Sequence, residues 1–162
     1  MSKNIENELL AMQASFPDKI QLGTEADGVQ AGLIDEAERA LEVRLPEEFR
    51  AFLSRFGWAT LGGLEIYSIY QSPFSDHIDT SDFVYMNKVN QRIGVVPRHY
   101  LEFASHDGSD AFYLNSSLYD QNEHQVSEVA ILDQDLGEMV RAASDLVSFF
   151  RMAIEGAYGH QE

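Results

Sequence analysis

Three short runs of the chain hold residue types that carry chemistry in other settings. In SHDGSD, Ser105, His106 and Asp107 are neighbours, the three types found in a nucleophilic triad. A triad assembles from distant positions, and consecutive residues of an extended segment point to opposite sides. A hairpin turn is the better reading of that run. DQDLGE, Asp133 to Glu138, imitates the start of a calcium loop. It lacks the third oxygen ligand before its glycine and the late bidentate glutamate. TLGGLE offers Gly62 and Gly63 with no lysine or helix after them, so no phosphate loop is present. The histidines, His77, His99, His106, His124 and His160, form no HxH or HExxH pair. There is no cysteine to serve as nucleophile, thiolate ligand or disulfide. No catalytic residue, metal site or cofactor is expected.

Charge points instead to a protein partner. The chain has 11 Lys and Arg against 27 Asp and Glu, a net charge of −16. Such a surface repels nucleic acid phosphates and anionic membranes, and speeds encounter with a basic protein. The carboxylates are unevenly placed. Between Arg98 and Arg141 there is no Lys or Arg, while Glu102, Asp107, Asp110, Asp120, Glu123, Glu128, Asp133, Asp135 and Glu138 lie there. Between Arg55 and Lys88 the same holds, with Glu65, Asp76, Asp79 and Asp82. Loop and turn carboxylates are the ones expected to be exposed, so the candidate contacts are Asp76, Asp79, Asp82, Asp107, Asp110, Asp120 and Glu123. Trp58, just past a helix, joins them as a candidate interface aromatic.

The elements that must position these residues follow from periodicity. RLPEEFRAFLSRFG, residues 44 to 57, reads as one helix, with Pro46 at its first position and Glu47 and Glu48 in its first turn. Leu45, Phe49, Phe52, Leu53 and Phe56 form one apolar stripe, and Gly57 is the left-handed cap. The stripe is expected to face a core. Helices are also expected over Lys3 to Ala14 and Leu33 to Glu42, and over Phe83 to Arg92 with Ser81 or Asp82 as cap. A last helix is capped by Ser144, with Asp145 in its first turn and Leu146, Phe149, Phe150, Ala153, Ile154 and Ala157 on its apolar face. The loop GTEADGVQAG separates the first two.

Between the helices the period changes to two. Leu64 to Tyr70 reads as a strand after a Gly62–Gly63 turn, with a short strand around Trp58 to Thr60 before it. Tyr100 to Ala104 and Ala111 to Asn115 form a hairpin about Asp107 and Gly108. Ser127 to Asp133 is a further strand, and Gly137 belongs to a turn. Helices, then an antiparallel meander, then a helix imply an α+β domain with N-terminal helices and a C-terminal helix packed on a mainly antiparallel sheet. At 162 residues, one domain over 1–162 can bury a core without disulfides or metal. The N-terminus holds no signal-peptide pattern and no stretch approaches the roughly 20 apolar residues of a membrane span, so a cytoplasmic location is expected.

IDEAERALEVRLPEEFRAFLSRFGWATLGGLEIY resembles the signature of the SUKH superfamily, or SMI1/KNR4 family. The matching residues are Ile34, Glu38, Leu41, Leu45, Pro46, Phe49, Phe52, Leu53 and Gly57. A glycine often follows the position of Leu41 in that signature, and Glu42 stands there in this chain. VVPRHYLEFASHDGSDAFYLN and DLVSFFRMAIE resemble the family's strand–turn–strand and closing helix, so the likeness spans residues 33 to 155. The resemblance implies a non-enzymatic binding module. Bacterial members are immunity proteins that neutralise polymorphic toxins, often nucleases, by direct contact, and fungal members are regulators that act through protein partners. It therefore implies a basic toxin domain as partner, with a regulatory or scaffolding role as the alternative.

Overall fold

The structure, a computed structural model, describes residues 4–70, 81–106, 110–119, 121–122 and 125–156. Four helices and three short strands come first: α1 (Ile5–Ser15), β1 (Ile20–Leu22), α2 (Ala31–Leu41), α3 (Glu47–Arg55), β2 (Ala59–Leu61), β3 (Leu64–Ile66) and α4 (Phe83–Ile93). The longer meander β4 (Tyr100–His106), β5 (Asp110–Asn115), β6 (Val129–Asp133) and β7 (Glu138–Ala143) leads into α5 (Leu146–Glu155). The seven strands make one sheet in chain order, every neighbouring pair antiparallel. This is the α+β class read from the alternation of periods.

Several boundaries differ from the sequence reading. Pro46 caps α3 in extended conformation and is not its first helical residue; Asp145, not Ser144, caps α5 by accepting the Ser148 N–H at 2.8 Å. The strand expected over Leu64 to Tyr70 ends at Ile66. Tyr67 still donates its N–H to the Phe103 carbonyl, after which Ser68 pairs with Asp82 and the chain leaves the sheet. The edge strands β1 and β7 were not expected, and neither was a single 3₁₀ turn at Glu25–Asp27. Ala157 and the turn at Asp107 and Gly108 lie outside the described residues.

The α3 stripe is the inner wall of the core. Leu45, Phe49, Phe52, Leu53 and Phe56 are all buried. Phe49 meets Phe83 of α4 at 5.2 Å and Phe103 of β4 at 5.8 Å between ring centroids, while Phe52 meets Phe150 of α5 at 5.9 Å. Phe149 of α5 closes the ring system against Phe103 and Phe112. Thus α3 and α5 carry the aromatic layer against the sheet, and α1 packs across both of them. A bulge feeds this layer. The β4–β5 register shifts between Glu102 and Ala104, so Phe103 and Ala104 both turn to the helical side, where a regular strand would send one of them outward.

On the other side of β4, buried Glu102 organises a polar cluster. Its carboxylate accepts the Tyr67 hydroxyl at 2.5 Å and Asn90 Nδ2 at 3.0 Å, and Tyr113 is its cross-strand partner. The sheet face opposite α3 and α5 is therefore buried at its centre, not evenly solvated as an open antiparallel sheet can be. Burial first, then the Glu102 charge, push the Tyr113 phenol up to about 12; Tyr67 is pushed up as well, by burial and its bond to Glu102. Because the folded value lies above the ordinary tyrosine value of about 10, this stabilisation is complete below that pH and is lost as pH rises through about 12. Urea unfolding at about pH 9 and about pH 11.5 should show a larger loss for the native chain than for Tyr113→Phe. Equal losses would refute this assignment.

Candidate partner-binding surface

The signature between α2 and α3 is a structural latch. Glu38 accepts the Leu45 N–H at 2.8 Å and Arg50 Nη1 at 2.6 Å, while Arg50 also reaches Asp35 at 3.0 Å. Ile34, Leu41, Leu45, Phe49, Phe52 and Leu53 are buried. Glu42, where the family pattern favours glycine, has φ +57 and is the one non-glycine residue in that region among those described. Its helix end is held by neighbours: Gln91 Nε2 donates to the Leu41 carbonyl at 3.1 Å, and Arg98 pairs with Glu42 at 2.9 Å. These side chains offset the strain that glycine would avoid. Residues so committed to the fold leave recognition to other surfaces.

Arg50 pairs with Asp35 and Glu38, Arg55 with Glu6, Arg98 with Glu42 and Arg151 with Glu8, while Arg39 of α2 and Lys88 and Arg92 of α4 enter no ion pair among the described residues. On the sheet, Asp110, Asp133, Asp135 and Glu138 enter no ion pair among the described residues. Asp133 Oδ1 accepts the N–H groups of Asp135 and Leu136 at 3.0 Å each, so the calcium-like run is a carboxylate-capped turn.

Of the candidate contacts, Asp110 is exposed at the start of β5 and Trp58 is half-buried. Asp82 is buried, contrary to the expectation of an exposed loop carboxylate. It accepts the Tyr85 N–H at 2.9 Å as the α4 cap and the Tyr70 N–H at 3.1 Å, so both oxygens are spent on backbone donors. Asp76, Asp79, Asp107, Asp120 and Glu123 lie outside the described residues.

Trp58 belongs to a groove of about 640 Å³ between the 3₁₀ turn, the start of α2 and the segment after β3. Asp27, Glu36, Ser68 and Tyr70 line it with Trp58. Close backbone contacts shape it. Gly57, at φ +78, lies over the Asp27 carbonyl, where an added Cβ would come within 1.9 Å; a Cβ at Gly28 would meet the Ser54 carbonyl at 2.2 Å. Glycine is required at both, and Gly28 is one of the glycines of the loop without periodicity. Asp27 accepts the Thr24 N–H at 2.7 Å and its hydroxyl at 3.1 Å, and these bonds, with a smaller contribution from Trp58, hold its carboxyl below the ordinary value against the effect of burial. Asp27, Glu36 and Tyr70 escaped the sequence reading because they come from three separate segments; Trp58 was the only signal.

A model of the SMI1 / KNR4 family (SUKH-1) matches residues 28–152, well over half of the chain. Among curated proteins no match is found. No helix among the described residues is long and apolar enough to cross a membrane.

Proposed function

The chain belongs to the SMI1/KNR4 family (SUKH-1), and from that membership we propose that it is an immunity protein of a bacterial polymorphic toxin system. It binds a toxin and neutralises it by direct contact, a nuclease being the expected kind. The family assignment carries the reading. The net charge of −16, with unmatched carboxylates on the sheet side, supports it. A nuclease site is basic because it holds phosphates, and an acidic surface is drawn to it. The chain acts as a binding module and not as an enzyme.

Affinity capture of the tagged chain from its native cells, at low and high salt, tests this. A basic toxin domain retained at low salt and weakened by salt is the expected partner. A housekeeping or cell-envelope factor held independently of salt would contradict the reading and favour a regulatory or scaffolding module. Asp76, Asp79 and Asp110 are proposed as contacts; reversing all three should slow association with the captured toxin about tenfold at low salt and flatten its salt dependence. Unchanged kinetics would remove the electrostatic contribution.

A further inference from the structure

We propose that the groove at Trp58 receives an arginine side chain of the protein partner. The proposal rests on the neutralisation reading for the partner's identity, and on the groove's own chemistry for the side chain. Two aromatic walls stand there: Trp58, half-buried, and Tyr70, 52% exposed. Two carboxylates line the same space, and among the described residues no Lys or Arg does. The Thr24 bonds keep Asp27 fixed on the 3₁₀ turn. Glu36, on α2, enters no ion pair among the described residues, unlike Asp35 and Glu38 beside it.

This combination selects a guanidinium. A planar cation stacks on aromatic faces while its several N–H groups reach more than one carboxylate; an ammonium offers a compact charge without the plane. The volume of about 640 Å³ suits a long side chain with its flanking backbone, and is too large for a single ion.

The chain has one tryptophan, so its fluorescence reports the groove directly. Titration with acetyl-Gly-Arg-Gly-amide should give a saturable change in Trp58 emission. The lysine peptide should bind several-fold more weakly, and the glutamate peptide should give no change. Glu36→Gln, with unchanged circular dichroism, should weaken the arginine peptide about tenfold, equivalent to about 1.4 kcal/mol. Equal binding of arginine and lysine peptides, no saturable change, or undiminished binding to Glu36→Gln would overturn the proposal. The captured toxin separates the two readings. If Glu36→Gln binds it as tightly as the native chain, the groove assignment falls and neutralisation stands. If the peptide results are as expected but no toxin is captured, the arginine site stands and neutralisation falls.

Discussion

Phe49→Ala should lower the unfolding free energy by about 3–5 kcal/mol. Phe49 is wholly buried and touches rings from three other places: Phe52 on its own helix, Phe83 on α4 and Phe103 on β4. Removing it deletes the ring's burial and leaves a cavity among aromatic neighbours that are themselves fixed by the sheet and by α5. Such sites collapse poorly, which places the cost in the upper part of the range for large-to-small changes. A domain of this kind has about 5–15 kcal/mol in total, so the variant keeps a reduced margin. In urea the midpoint should fall by roughly 2 M with little change in slope. An unchanged midpoint would mean that the stripe is not core and would reopen it as a contact surface.

Asn87→Leu should cost about 2–4 kcal/mol although it places an apolar side chain of similar size in a buried site. β3 ends before it can cover β4 at Glu102, and the Asn87 amide takes the place of the missing strand. Its Oδ1 accepts the Glu102 N–H at 2.8 Å; its Nδ2 donates to the carbonyls of Glu102 and Phe83, each at 2.8 Å. Asn87 is 1% exposed, so water does not replace the lost bonds freely. Leucine leaves a donor and two acceptors short of their partners, and an unmet buried group costs about 1–3 kcal/mol. Hydrogen exchange gives a local readout: the Glu102 amide should lose protection beyond the global loss. A variant as stable as the native chain, with Glu102 still protected, would contradict this role.

The helices were legible from their apolar period, and α3 also from its end signals, Pro46 before it and Gly57 after it. The central hairpin was legible from the Asp107–Gly108 turn signal between two apolar runs, which became β4 and β5. β1 and β7 were not, because they are the sheet's edges. β1 has three residues, and much of β7 is only partly buried, so neither shows clear alternation. Asp82 illustrates competition between two valid readings. The same residue signalled both a helix cap and a loop carboxylate, and the unmet N–H groups of the first turn of α4 took it. The groove was illegible for a different reason. Its walls are set by glycine contacts between distant segments, and the residues that carry the family likeness are occupied in holding α2 to α3.

The most direct test of neutralisation is growth of cells expressing the captured toxin domain, with and without this chain. The account predicts that co-expression restores growth, and that the purified chain blocks the toxin's activity at equimolar concentration. Unrelieved toxicity, with the chain folded and present in excess, would contradict it.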